Sequence, residues 1–365
     1  MDDFPITNCH SHSFTSRHVP RNYPSILVRP FKSRPNLLRF IGLVARILGR
    51  DRFADAIRRL HRFQLEGMKG RQSAIIDAMR AHYPSATRFV VLPMDMSAMG
   101  YGAPEADLRS QHDELAAMAA DPKYRGKLIP FATIHPDAPG GFAELKRAVE
   151  VLGFKGVKLY PRLGFPPDHP VLMKQVYPFA VKHRLPVMTH CSRGGVTKKG
   201  LDQTLADRLC EPTAYLPVLR AFPDLKLCLA HFGGLSDWRD YINAENTRSS
   251  FNPSRNWQVM IREMICSGEF PNLYTDISYT LFEFEDLVPF LKVFLSEKQL
   301  LKRVLFGSDY YMTRQEVLSE RAVCIRLRVA LGETLFRQIA ETNPAVWLGE
   351  KGEVPLVSRP ADSRL

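Results

Sequence analysis

Near the amino terminus, Ile6 to His12 reads ITNCHSH, and the two imidazoles spaced two residues apart are the groups best suited to chemistry. On a strand, side chains alternate between faces, so His10 and His12 project to one side and Cys9 and Ser11 to the other. Two neutral nitrogen donors on a rigid element suit a cation whose remaining ligands arrive from elsewhere in the fold. A lone His-x-His is weak, because two histidines at a surface strand end read the same way. Partners stand downstream: His190 closes PVMTH, His231 closes LKLCLAH and Asp309 closes RVLFGSD. Imidazole and carboxylate without thiolate suit Zn2+, the first choice, and also Mn2+, Co2+ or Fe2+.

The elements that must position these groups follow a regular rhythm. Short apolar runs read as strands at ITNCHSH, RFVVLPM, LIPFATI, GVKLY, PVMTH, KLCLAH, LYTDIS and VLFGSD. Helical spacing is expected between them at about 105–120, 141–152, 171–183, 212–222, 257–266 and 284–298, and after the last at 315–340. Eight strands alternating with helices predict an α/β fold, a TIM (β/α)8 barrel, in which each candidate ligand sits at a strand's carboxyl end, the face where barrel enzymes build their sites. An open doubly wound sheet is the rival, but it would bring ligands from the first, fifth, sixth and eighth strands together less easily.

The first strand is followed by an unusually long excursion, 13–87, marked by Pro20, Pro24, Pro30 and Pro35 and then by NLLRFIGLVARILG, RFADAIRRLHRFQLEG and SAIIDAMRAHY. It reads as a helical cap or dimerisation insert within a barrel spanning 1–349, with 350–365 a loosely ordered tail. This insert is basic: it holds 15 Lys and Arg against four Asp and Glu, nearly the whole of the chain's net charge of +12. Such a lobe could attract nucleic acid, anionic lipid or an anionic substrate, although a solvated or subunit-facing surface is commoner. A homodimer is expected, a nucleic-acid partner is not.

The 365 residues can form one large domain, and 45% hydrophobic with 24% charged content is ordinary for a globular protein. No apolar run reaches the ~20 residues needed to span a bilayer, so no membrane partner is expected. The start MDDFPITNCH is acidic where an export signal is basic, which predicts a cytoplasmic protein. Six cysteines without C-x-x-C spacing indicate neither a zinc knuckle nor a disulfide framework.

Strand parity groups Met188 with His190, Leu229 with His231 and Gly307 with Asp309, all expected inward. Lys158 in GVKLY also points inward, where an unpaired ammonium is costly, so it needs a carboxylate such as Asp95 or one belonging to the substrate. Arg162 and Arg193 follow the fourth and fifth strands, where a guanidinium can clamp a substrate carboxylate, though solvated loop arginines are commoner. Tyr160 and Trp238 are candidate pocket walls, with the core as the usual alternative. Gly233 and Gly234 would let backbone approach a ligand, or simply turn the chain.

Across nearly its whole length, through CHSH, GFKGVKLYPRLGF, MTHC, LAHFGG, FGSDYYM and NPAVWLG, the sequence resembles the amidohydrolase superfamily. The likeness is strongest to its branch of TIM-barrel metal-dependent hydrolases that also contains aromatic-acid decarboxylases and pyrone dicarboxylate hydrolases. The resemblance implies His10, His12 and His190 as metal ligands, His231 as ligand or catalytic histidine, and Asp309 as ligand and proton carrier. Dihydroorotase-like members carry a similar KLYP stretch whose carbamylated lysine bridges two metals. On that pattern Lys158 would be the bridge, with His190 and His231 on a second ion; likeness to the mononuclear branch favours one ion. The expected reaction is hydrolysis of a C–N or C–O bond in a small, anionic substrate, with Arg162, Arg193 and Tyr160 binding it. The alternatives are non-oxidative decarboxylation in the same site, or a polyanion-binding module with a vestigial metal site.

Overall fold

The structure is a computed structural model that describes residues 5–23, 25, 34–244, 251–282 and 284–352. Strands β1 (Thr7–Ser11), β2 (Arg88–Val91) and β3 (Leu128–Pro130) form one parallel sheet. A second parallel sheet runs in chain order through β4 (Ala132–Thr133), β5 (Val157–Leu159), β6 (Val187–Ser192), β7 (Leu227–Gly233), β8 (Leu273–Asp276) and β9 (Val304–Leu305). LIPFATI, read as one strand, is therefore two. The change of partner comes at Phe131, directly after Pro130, which has no N–H to give a ladder.

Hydrogen bonds also cross between the sheets. Phe131 N–H donates to Val91 O at 3.1 Å, Cys9 N–H to Phe306 O at 2.8 Å and His12 N–H to Tyr310 O at 2.5 Å. The last strand's continuation thus lies beside β1.

The helices start where their caps stand. Asp107, Asp202, Asn256 and Ser319 each accept a hydrogen bond from a backbone N–H of the turn that follows. Two of the helices predicted as single runs are broken near an internal proline. A π turn (Leu172–Val176) precedes the helix holding Pro178, and a 3-10 turn (Pro212–Tyr215) the helix holding Pro217. Helices Gln203–Arg208 and Leu235–Ile242, after β6 and β7, were not read from the sequence.

Between β1 and β2 the chain builds α1 (Pro35–Ile47), α2 (Asp51–Gly67) and α3 (Gln72–Arg80). The first two cross closely at Gly42, where an added Cβ would stand 3.3 Å from Ile57 Cγ2. The end of α2 is fastened to the far side of the chain: buried Glu66 accepts from Tyr310 Oη at 2.8 Å and from Lys69 Nζ at 2.5 Å. The markers Pro24 and Pro30, and the tail from 353 onward, lie outside the described residues.

Two apolar clusters hold these layers. The larger packs strands against helices, with Val157, Leu159, Leu229 and Val304 on the strand side. The smaller joins residues from both sheets, among them Cys9, Val90, Met188, Cys228, Tyr274 and Leu305, with Trp347 closing it. All six cysteines are free thiols. Among the described residues, no helix is long and apolar enough to cross a membrane.

Candidate active site

The carboxyl ends of β1, β6, β7 and β8, with the segment after β9, deliver a cluster of buried polar side chains. Simple alternation does not describe how they arrive. The register of β1 against β2 slips between Asn8 and Ser11, so Cys9 joins the small enclosed cluster while His10, the next residue, also reaches the site. On β7 it is Cys228 and Ala230 that face the enclosed cluster, and Leu229, expected to share a face with His231, packs against the helices instead. His231 turns in because its backbone, still within β7, takes φ +71°, and Asp309 sits at φ +65°. Such left-handed positions cost energy for residues other than glycine and concentrate at functional sites. Gly307 lets β1 approach: an added Cβ would lie 2.7 Å from His10 Cβ.

Hydrogen bonds fix where the lone pairs point. His10 Nδ1 lies 2.8 Å from Asp276 Oδ2 and His12 Nδ1 lies 2.8 Å from the Leu92 carbonyl. Both partners only accept, so each Nδ1 carries the proton and each Nε2 presents a lone pair. Those lone pairs meet Asp309: Oδ1 lies 3.0 Å from His12 Nε2 and 3.6 Å from His10 Nε2. His10 Nε2 and Asp309 Oδ1 are buried without a hydrogen bond. One step away, Ser278 gives its proton to Asp276, so its Oγ must accept from His231 Nδ1 at 2.9 Å. His190 Nε2 stands 3.2 Å from Ser192 Oγ and 3.3 Å from the Gly194 carbonyl, and His190 Nδ1 faces His231 Nε2 at 3.1 Å.

Buried acceptors facing acceptors are repulsive unless a cation or proton lies between them. His10, His12 and Asp309 each offer a ligand atom within 4.8 Å of the others, and a second such group is His10, His231 and Asp276. The donor set therefore fits a divalent metal. The first group is the better fit, because in the second the N–H groups and the Ser278 proton already occupy the space between the acceptors. His190 belongs to neither group; it adjoins His231, with ring centroids 4.9 Å apart.

Electrostatics keep His10, His190 and His231 neutral. Burial first, then the Lys158 charge, lowers His10 to about 3, and burial also lowers His190 and His231. Asp276 is pushed up by burial but held well below the usual carboxylate range by His10 beside it. It was not singled out in the sequence, although its position at the end of a strand, like that of Asp309, was a usable signal.

These groups open on a cavity of about 670 Å3 walled by Phe14, Phe63, Met94, Tyr160 and Met312. A cavity of about 720 Å3 lined by Arg88, Lys155 and Arg184 lies at the strands' amino ends and holds none of the site's histidines. Lys158 is buried at the site, lowered to about 8 by burial against the pull of Asp276 and Asp309. The carboxylates that act on it are Asp276 and Asp309 rather than Asp95, whose Oδ1 accepts from Ser97 N–H and Oγ. Tyr160 stacks on His190 with centroids 4.5 Å apart.

Two candidate pocket residues stand apart from the cavity. Arg162 does not line the cavity: its buried guanidinium donates to Asp207 Oδ1 and, at 2.7 Å, to Gln203 Oε1, so it braces the loop after β6. Trp238 lies in the core, donating to Phe232 O at 2.9 Å. Arg193 does line the cavity, held by Asp237 at 3.0 Å with its guanidinium 4.5 Å above the Trp257 ring. Gly233 answers to packing, because a Cβ there would come 2.4 Å from Gln258 N.

The amidohydrolase family model matches residues 69–349. No curated protein matches the chain in sequence. Among solved structures, a probable 2-pyrone-4,6-dicarboxylic acid hydrolase from Acinetobacter baumannii is similar at TM-score 0.54 and 13% identity, covering 95% of this chain and 100% of that one. The 5-carboxyvanillate decarboxylase from Sphingomonas paucimobilis is similar at TM-score 0.53 and 13% identity, covering 95% of this chain and 99% of its own. At such identities the structures speak for the shared fold alone, while the family match spans well over half of the sequence. The chain belongs to the amidohydrolase family and is an enzyme of the amidohydrolase type.

Proposed function

We propose that this protein is a metal-dependent hydrolase that adds water across a C–N or C–O bond, in an amide, lactone or ester, of a small carboxylated substrate. In this reading 1–349 form one (β/α)8 barrel with 13–87 as its basic helical insert. The hydrogen bonds that join the two sheets at Phe131 and at Cys9 and His12 support closure. The observation that carries the function is the convergence of His10 Nε2, His12 Nε2 and Asp309 Oδ1, with His10 Nε2 and Asp309 Oδ1 buried and without a hydrogen bond.

His10, His12 and Asp309 would hold one ion, Zn2+ first and Mn2+, Co2+ or Fe2+ after it, with His190 and His231 alongside. When bound, such an ion supplies Lewis acidity that makes water a nucleophile near neutral pH. Asp309 accepts the proton of the attacking water and, as the acid, returns it to the departing nitrogen or oxygen. His231, fixed by Ser278 and Asp276, presents its Nε2 lone pair to orient the attacking water. Lys158 and Arg193 pair with the substrate carboxylate, and Tyr160 with the aromatic walls keeps bulk water out.

The test is metal analysis of the purified protein, then a screen of lactones, amides and aromatic carboxylic acids in oxygen-18 water with and without chelator. Label in the product and loss of turnover on chelation are expected. Carbon dioxide release without label uptake would assign decarboxylation instead. Protein that is metal-free and cannot be loaded would overturn both.

A further inference from the structure

The α1–α2 hairpin carries an apolar face that nothing in the described fold covers. On α1 the inner side is Leu38 and Ala45, buried against α2, with Gly42 at the crossing. The outer side is equally apolar and lies in water. Exposure peaks at the turn, where Ile47 is 76% and Leu48 67% exposed; earlier on α1 Phe40 is 62% exposed and, across the turn, Phe53 51%. At 100° per residue, Leu37, Phe40, Leu43, Val44, Ile47 and Leu48 span an arc of about 140°, and Arg39 and Arg46 fall beside it.

The surrounding charge is of one sign. From 34 to 62 the chain has eight arginines against Asp51 and Asp55, and no acidic residue precedes Asp51 in that stretch. Asp55 is already paired with Arg58 at 2.9 Å. A second copy docked here would bring two arginine sets together across an apolar contact, which costs affinity. A nucleic acid would answer the charge but offers no apolar phase for Ile47, Leu48 and Phe53. An anionic bilayer answers both, since apolar side chains enter the acyl boundary while arginines stay at phosphate level.

We propose that the tip of the α1–α2 hairpin docks this enzyme on the surface of membranes rich in anionic lipid, without spanning them. The apolar tip supplies depth and the arginines supply selectivity for charge. Phe63, which lines the active-site cavity, stands on the same helix ten residues beyond Phe53, about 15 Å along its axis. Docking therefore holds the cavity mouth close to the lipid surface. The inference does not depend on which bond the enzyme breaks.

The experiment is co-sedimentation of the full chain with vesicles of phosphatidylglycerol and phosphatidylcholine, against phosphatidylcholine alone, at low and high salt. Binding to the anionic vesicles that weakens with salt is expected, with little to the neutral ones. The triple change Ile47→Ser, Leu48→Ser, Phe53→Ser should lower binding about tenfold or more at an unchanged melting temperature. The pair Arg39→Gln and Arg46→Gln should weaken binding and flatten its salt dependence, which keeps the test open if the triple variant folds poorly. Failure to bind anionic vesicles, or equal binding to neutral ones, would overturn the proposal. So would light scattering that shows a dimer which the serine changes convert to monomer, since that assigns the face to a second copy.

Discussion

Asp276 Oδ2 accepts from His10 Nδ1 across 2.8 Å, and this bond decides which nitrogen of His10 faces Asp309. Asp276→Asn could answer Nδ1 with an amide N–H, which would shift the imidazole proton to Nε2 and close the lone pair. Metal affinity is expected to fall by about 10- to 100-fold, the usual effect of removing a carboxylate behind a ligating histidine. Chelator competition measures it, with circular dichroism to establish that the variant is folded.

Asp309→Asn keeps the shape of the side chain and removes its charge and basicity. Turnover should drop by at least about 100-fold while the far-ultraviolet spectrum stays close to that of the parent. A fully active, metal-loaded variant would remove Asp309 from the mechanism.

Stripping the metal should destabilise the fold as well as silence it, because the acceptors of His10, His12 and Asp309 then face one another unscreened. A ligand present at a thousand times its dissociation constant stabilises by about 4 kcal/mol, so thermal melting with and without chelator should separate clearly. Identical melting curves would show that no ion binds there.

Gly307→Ala tests the close approach of the last strand to β1. With only 2.7 Å to His10 Cβ, the backbone must move, at a cost of about 1–3 kcal/mol. Urea denaturation gives the figure, and reduced metal content should accompany it because the displaced residue is His10.

Glu144 gives an acid-side prediction remote from the site. Burial raises its carboxyl, but the hydrogen bonds from His112 and Arg147 outweigh that and bring it down to about 2. A carboxyl lowered on folding stabilises fully above its ordinary value of 4.5 and loses that contribution as pH falls toward 2. Glu144→Gln should thus cost on the order of 1–2 kcal/mol at neutral pH and progressively less below about pH 4. Denaturant titrations at several pH values would show the two curves converging; a constant gap would refute the linkage.

The sequence made the gathering of His10, His12, His231 and Asp309 legible because each closes an apolar run, and parallel strands deliver their carboxyl ends to one side. Alternation failed where the backbone departs from it. A slipped register at Cys9 and His10, and a left-handed turn at His231, are local events that no period of two can announce. Arg162 was misread for a tertiary reason: Asp207 and Gln203, which occupy its guanidinium, come on a six-residue helix too short to show a hydrophobic period. The last strand pairs over only Val304 and Leu305 with β8, because beyond them the backbone turns to β1, where Asp309 N–H donates to His10 O at 2.9 Å. Those contacts join residues some 300 positions apart, far outside any local window.

The bond from Tyr310 to Glu66 ties the end of α2 to the residue next to Asp309. The segment between β1 and β2 is thereby not a detachable ornament. Anyone who trimmed it to obtain a smaller catalyst would unfasten the rear of the reaction centre, and grafting it onto a relative would require moving its anchor as well.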